Sequence, residues 1–411
     1  MFDLQLWKVA LKKIGLGGKF LMYKYKDKWP KPKIKYENQV IIKNLLGGIC
    51  GSDLHQLQVD VSYASSILAR KINPFPIGHE AIGLVEEVGS KVTSWKVGDR
   101  VVYNPVATCE SYEYKLCSSC QTGNFSSCYC LTGLGDKSKL EEKYSESDYG
   151  YGGGGFNEYL IGFEKQFYKI PSDLQDEVAI LTEPFAIAIH AVGRNLPEDE
   201  DTVLIYGAGI IGLLTIAAIR AFGIKARIIT LARYKHQAEI AVKLGSNEVI
   251  IERNRNELYS KIALLTNGHL FKPTLGKKIL FGGNGPDIIF DCVANEKTLD
   301  DSLHLVRSNG KIIVVGLGYN KTKTIDWALQ AYKELTIVGT MMHRLEKYQD
   351  KNWDSFDLAI HFLNTNPNLY SDLVTHKFKI EDFKNAFKLS MRKGQNKVVK
   401  SVFDYREINQ I

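Results

Sequence analysis

The stretch Thr202-Val203-Leu204-Ile205-Tyr206-Gly207-Ala208-Gly209-Ile210-Ile211-Gly212 decides how this chain is folded. A β-type run leads into three glycines spaced Gly-x-Gly-x-x-Gly, and an apolar segment follows as far as Ile219. That order reads as strand, tight turn and helix. The first glycine suits the turn, the second lets the backbone approach a pyrophosphate, and the third packs helix on strand, while the helix N-terminus offers a positive dipole. Eighteen residues from Thr202 to Ile219 pass without a charge, the lower limit for a membrane span. The glycines and the Arg220 that follows favour a buried strand-turn-helix instead.

Outward from this turn, strand-like and helix-like segments alternate. Apolar runs at 226–231, 248–251, 287–291, 311–315 and 335–338 succeed Thr202–Tyr206, and helical spacing appears at 210–222 and 236–243. Alternation of this kind predicts a doubly wound α/β domain with a six-stranded parallel sheet over 189–342. Gly207, Gly209, Ile210, Ile211 and Gly212 then form the phosphate-binding turn of a dinucleotide site. The end of the second strand decides which dinucleotide. An NAD site usually places Asp or Glu about 20 residues past the glycines, on the ribose hydroxyls. Ala232-Arg233-Tyr234-Lys235 stands there instead, with no carboxylate to repel a 2′-phosphate and with Arg233 able to grip one bidentately. NADP is therefore expected over NAD; the alternative is that Arg233 and Lys235 are solvated surface charges. Cys292, Val293, Gly316 and Leu317 end later strands at the carboxyl edge, where open α/β sheets bind ligands, and are expected beside the nicotinamide. Cys292 itself reads as a packed small hydrophobe.

At 411 residues the chain is long enough for two domains. Short β-type runs broken by glycines, at 40–42, 82–88 and Arg100–Tyr103, predict a β-barrel in a first domain at 1–188. The remainder, 343–411, has helical patterns at 355–363 and 380–388 and a strand-like end at 397–403, while 267–285 reads as an inserted loop. A content of 45% hydrophobic and 24% charged residues fits an ordinary globular chain. The net charge of +7 comes from dispersed lysines rather than a patch, so nucleic acid is not an expected partner. Lysines at 8, 12, 13, 19, 24, 26 and 28 interrupt every apolar run of the N-terminus. No signal-peptide core forms, and a cytoplasmic location is expected. Five of the seven cysteines fall between 109 and 130, which points to metal rather than disulfides.

Two further motifs carry metal chemistry. Gly78-His79-Glu80 opens a Gly-His-Glu-x2-Gly-x5-Gly-x2-Val pattern that ends at Val92, and upstream lies Gly48-Ile49-Cys50-Gly51-Ser52-Asp53-Leu54-His55. Thiolate, imidazole and carboxylate are the usual ligands of zinc. In this order the two motifs resemble those of the zinc-containing alcohol dehydrogenases of the medium-chain dehydrogenase/reductase superfamily. The resemblance spans 31–403 and implies a GroES-like barrel plus a Rossmann domain, with the tail at 343–411 returning to the first domain. It also implies a homodimer or homotetramer. Residues 1–30 exceed what the family needs and are assigned only to an extra strand pair or an oligomer contact.

The resemblance implies that Cys50 and His79 bind a catalytic zinc, with Glu80 or Glu183 completing the sphere. Glu183 lies in Leu181-Thr182-Glu183-Pro184, which is similar to the Glu-Pro segment of polyol and threonine dehydrogenases; read by itself, it is a helix-start charge favoured by the dipole. Three protein ligands leave one position open, where a substrate hydroxyl can be polarised and give its hydride to a nicotinamide. Ser52 matches the family's proton-relay hydroxyl, His55 its outward step and Asp53 the carboxylate that orients the zinc-bound imidazole. The alternative is that Ser52 only caps a helix and His55 lies on the surface.

Cys117-x2-Cys120-x7-Cys128 matches three thiolates of the family's structural zinc lobe at 109–130. The fourth is expected at 114, which is Tyr114; Cys109 is the nearest substitute and Cys130 the other candidate. Four thiolates close a tetrahedral site that stabilises rather than catalyses. The alternative is a decayed lobe with free thiols. Together these features predict a zinc-dependent, NADP-linked dehydrogenase of alcohols, polyols or sugars, with an NAD-linked threonine-type enzyme as the alternative. A zinc-free enone reductase would lack Cys50 and the His79-Glu80 pair. A nucleic-acid-binding zinc ribbon would need a basic face around the lobe, where Lys115 stands against Glu110 and Glu113.

Overall fold

The first sheet is organised around one almost continuously apolar strand, β1 (Gln39–Ile49), which is covered on its faces and paired along both edges. The structure is a computed structural model that describes residues 30–57, 76–132, 153–318 and 322–406. The expectation for residues 1–29 lies outside them. The strand β1 runs beyond the 40–42 core because Gly47 and Gly48 continue it. A Cβ at Gly47 would lie 2.0 Å from the Gly155 carbonyl oxygen, and one at Gly48 would lie 2.1 Å from a carboxylate oxygen of Glu80. The chain then forms β2 (Glu80–Val88), β3 (Arg100–Tyr103), β4 (Tyr159–Phe163) and β5 (Phe167–Lys169). All pair antiparallel: β2 with β1 and β3, β4 with the start of β1, and β5 with β3.

The second sheet comprises β6 (Thr202–Tyr206), β7 (Arg227–Leu231) and β8 (Glu248–Ile250). After the small antiparallel pair β9 (Leu270–Phe271) and β10 (Ile279–Leu280), it continues with β11 (Ile288–Asp291), β12 (Lys311–Val314) and β13 (Thr336–Gly339). Its order is β13-β12-β11-β6-β7-β8 and every pairing is parallel. Strands are added in one direction from β6 and in the other from β11, and the switch point between them is where such sheets hold their ligand. The segment expected as a plain inserted loop thus contains a hairpin, whose two-residue strands are too short to leave a periodic signal.

A second hairpin, β14 (Leu345–Tyr348) with β15 (Lys351–Asp354), precedes the helix Ser355–Thr365. The tail then supplies β16 (Val374–Phe378), the helix Phe383–Met391 and β17 (Lys400–Asp404). The last strand lies against β1, matching Leu46 to Asp404 and Ile49 to Ser401. The first sheet therefore runs β16-β17-β1-β2-β3-β5, with β4 beside β1. Between the two sheets the apolar helix Thr182–Gly193 buries Phe185, Ala186 and Ile189 in one core with Leu213, Leu214 and Ala217 of the helix Ile210–Ala221 and with Phe362 and Leu363. Each large side chain fully buried there contributes about 1.5–3 kcal/mol. Among the described residues, no helix is long and apolar enough to cross a membrane.

Candidate metal centre and cofactor cleft

Sequence-distant donors meet where β1, β2 and β17 run side by side. Cys50 follows β1 and leads into the helix Gly51–Leu57, while His79 and Glu80 stand at the start of β2 and the register sets Glu80 opposite Gly48. One ligand atom each from Cys50, His79 and Glu80 lies within 4.8 Å of the others. Asp53 ties the cluster together: its carboxylate accepts a hydrogen bond from the Cys50 amide at 2.8 Å and faces Nδ1 of His79 at 3.5 Å. Ser52 and His55 share a helical turn at i and i+3, and both are partly exposed. Gly153, Gly154 and Gly155 wrap behind the His79 loop, with Gly154 donating to the Gly78 carbonyl at 2.9 Å.

The electrostatics of the cluster call for a cation. Burial opposes a charged His79, yet the Asp53 carboxylate and Cys50 overcome that cost and raise its pKa well above the ordinary value. Glu80 is buried, and its Oε1 has no hydrogen-bond partner among the described residues. Glu183, in the first turn of the helix Thr182–Gly193, stands outside the 4.8 Å group but within its field. Burial pushes its pKa up to about 7, with Glu80 and Asp53 adding to the rise and His79 and Lys400 opposing it. A thiolate, an imidazole and a carboxylate with an unused oxygen fit zinc.

One residue here had not been singled out from the sequence. Lys400 is 1% exposed, forms an ion pair with Glu80 and donates to the Ile49 carbonyl at 3.2 Å. A lysine inside the apolar run 398–403 was the available signal, since buried charges are almost always paired.

The cysteine lobe forms a second donor group. Cys109, Cys117, Cys120 and Cys128 each offer a sulfur within 4.8 Å of the others, and Cys109 Sγ lies 3.5 Å from Cys128 Sγ. Tyr114 is a packing residue, stacked on Tyr112, and its amide bonds back to the Cys109 carbonyl at 2.9 Å. That contact folds the longer loop so that Cys109 reaches the other three thiols. Hydrogen bonds from Cys120 and then Cys130 favour the Cys128 thiolate and lower its pKa to about 2, while burial pushes Cys109 up to about 11. Four sulfurs at this spacing fit a closed tetrahedral zinc.

On the second sheet, the three glycines differ in what surrounds them. Gly207 has φ +99°, a left-handed conformation that favours glycine. A Cβ on Gly212 would lie 1.9 Å from the Gly207 carbonyl, whereas one on Gly209 would meet nothing within 4 Å. Tight packing on one side and open space on the other is the cradle a pyrophosphate needs, at the N-terminus of the helix that begins at Ile210 and Ile211. Val293 touches Gly207, and the backbone of Cys292 and Val293 abuts Gly316. Val293 and Leu317 are exposed apolar side chains at this edge. Cys292 is packed inward near Thr215, and burial pushes its thiol up to about 12. Arg233 is exposed and lies over the Tyr234 ring at 5.6 Å; Lys235, also exposed, pairs with Glu239 at 3.8 Å.

Donors for a metal on the barrel and a dinucleotide cradle on the parallel sheet define an oxidoreductase. Residues 36–172 match the family model of the alcohol dehydrogenase GroES-like domain, and residues 211–357 match that of the zinc-binding dehydrogenases. The chain is 29% identical to L-idonate 5-dehydrogenase of Vitis vinifera, over 87% of this chain and 86% of the relative. It is 28% identical to sorbitol dehydrogenase of Bacillus subtilis, over 88% and 89%. Among solved structures, an alcohol dehydrogenase (rspB) of Escherichia coli CFT073 complexed with NADH superposes with a TM-score of 0.65 at 25% identity, covering 92% of this chain and 94% of that one. The chain belongs to the zinc-containing alcohol dehydrogenase family of the medium-chain dehydrogenase/reductases.

Proposed function

We propose that this enzyme oxidises a secondary hydroxyl of a polyol or sugar to a carbonyl, with NADP+ as the hydride acceptor. The observation that carries the reading is the convergence of Cys50, His79 and Glu80 on one point of the barrel. Bound there, zinc supplies a Lewis acid that polarises the substrate hydroxyl. Cys50 and His79 hold the ion, and Glu80 or Glu183 completes its protein ligands. Asp53 keeps the His79 ring in place through Nδ1. Ser52 takes the hydroxyl proton and hands its own to His55, one helical turn on. Cys109, Cys117, Cys120 and Cys128 hold a second zinc that fixes the lobe.

Gly207, Gly209 and Gly212 shape the pyrophosphate cradle. Arg233 and Lys235 present the positive charge that a 2′-phosphate requires, and no carboxylate stands where an NAD site would place one. Cys292, Val293, Gly316 and Leu317 form the nicotinamide end. The return of the tail to the barrel is supported by the pairing of β17 with β1, whereas the helix Thr182–Gly193 runs unbroken through the expected 188/189 division. The open edge strand β13, with Tyr332 76% exposed near it, suits a homodimer. Relatives named for idonate and sorbitol support a polyhydroxylated substrate. The NADH complex of the E. coli structure favours NAD as the second reading.

The test is a panel of sorbitol, xylitol, arabitol, idonate, threonine and ethanol, each assayed with NADP+ and NAD+ by absorbance of the reduced cofactor. Turnover of at least one polyol or sugar acid, with a higher kcat/KM for NADP+, is expected. Turnover of threonine alone, or of nothing, would overturn the reading.

A further inference from the structure

The lobe holds one thiol more than a tetrahedral zinc requires. Cys130 is 3% exposed, is not in a disulfide, and its Sγ donates to Cys109 Sγ at 3.8 Å. Zinc–sulfur bonds of about 2.3 Å place the corners of a tetrahedron roughly 3.8 Å apart. Cys109 is therefore at ligand spacing from both Cys128 and Cys130, while Cys130 stands just outside the four sulfurs that lie within 4.8 Å of one another. The local backbone explains why. In the 3-10 turn Tyr129–Thr132, the Leu131 amide closes on the Cys128 carbonyl at 3.1 Å, turning Cys130 inward while Tyr129 stays 57% exposed. As a small hydrophobe, Cys130 would need only the apolar neighbours it has; its sulfur also lies against the Cys109 sulfur.

We propose that Cys130 is a fifth zinc-binding thiol that exchanges with Cys109. The ion is held by Cys117, Cys120, Cys128 and either Cys109 or Cys130, a statement that rests on the reading of the lobe as a zinc site. Exchange conserves charge. The incoming S–H gives its proton to the departing thiolate, so four thiolates bind zinc in both arrangements and the fifth sulfur stays a thiol that hydrogen-bonds the set.

The experiment measures zinc per chain by atomic emission in the full-length protein and in Cys109→Ala, Cys130→Ala, Cys109→Ala/Cys130→Ala, Cys117→Ala and Cys50→Ala. Two ions are expected in the unaltered protein and in both Cys109→Ala and Cys130→Ala, and one in the double variant and in Cys117→Ala. Two ions in the unaltered protein but one in Cys109→Ala would overturn the exchange while leaving the lobe a zinc site. One ion in the unaltered protein, lost on Cys50→Ala, would remove the lobe reading and the proposal with it. A second measurement needs no variant: prolonged alkylation of the zinc-loaded protein, mapped by mass spectrometry. Label shared between Cys109 and Cys130, with Cys117 and Cys120 protected, is expected; label on Cys130 alone overturns the exchange.

Discussion

Lys400 is enclosed by the barrel, and its ammonium answers the Glu80 carboxylate beside the metal ligands. Removing one partner of a buried pair leaves the other charge uncompensated, at a cost of about 3–5 kcal/mol, whereas neutralising both can be close to neutral. Lys400→Met should therefore lower unfolding free energy in urea by about 3 kcal/mol, and adding Glu80→Gln should restore most of it. A double variant no more stable than the single one would show that the pair does not act as a unit. Arg233 offers a second prediction at this scale. Arg233→Asp should shift the NADP/NAD ratio of kcat/KM at least tenfold towards NAD, and an unchanged ratio would assign that charge to the surface alone. Gly212→Ala drives a methyl group into the Gly207 carbonyl and should weaken cofactor binding, read as a higher Kd for the reduced cofactor. Cys50, His79 and Glu80 could be read from the sequence because their neighbours carry a fixed spacing. For Lys400 the sequence offers only a lysine in an apolar run; its partner lies far upstream, and the registers of β2 and β17 on β1 bring the two together.

Among the elements, the six parallel strands were legible because each is a short apolar run closed by a turn, and the observed ends differ from the expected ones by a residue or so. The hairpin β14–β15 was not. Its two-residue turn, Gln349 and Asp350, has φ of 48° and 61°, the geometry usually signalled by Asn-Gly. Packing of Leu345 against Gly123 and the buried pair between Glu346 and His190 at 2.8 Å hold it in place of turn chemistry. The tail is fastened in a different way. Arg406 binds Asp176, Glu177 and Asp404, and Lys377 of β16 also pairs with Glu177. Burial works to raise Glu177, but hydrogen bonds from Arg406 and Lys377 prevail and hold its pKa at about 2, below the ordinary 4.5. A depressed carboxylate contributes stability that is complete above its unfolded pKa and is lost as pH falls through its folded one. Because these pairs reach solvent, Glu177→Gln should cost only about 0.5–1 kcal/mol at pH 7. That difference should shrink steadily between pH 4.5 and pH 2; a gap that widens on acidification would contradict the assignment.

For the whole molecule, the glycine-rich turn at Gly207 and the His79-Glu80 motif sit on different sheets, and neither by itself gives a dehydrogenase. The chain unites them by sending β17 back to β1 after the nucleotide domain is complete, so that Lys400 and the metal donors share one corner of the barrel. That return was readable only through family resemblance, because nothing in a strand-like run at 397–403 says which sheet it joins. The central claim is that the Cys50–His79–Glu80 cluster holds the ion that activates the hydroxyl. The most direct measurement follows polyol-dependent formation of reduced cofactor through removal of the metal with a chelator and its return as zinc, alongside His79→Ala. The account predicts that activity falls by at least a thousandfold, roughly 4 kcal/mol of transition-state stabilisation, recovers with zinc, and cannot be recovered in His79→Ala. Full activity in the metal-free protein, or in His79→Ala, would contradict it.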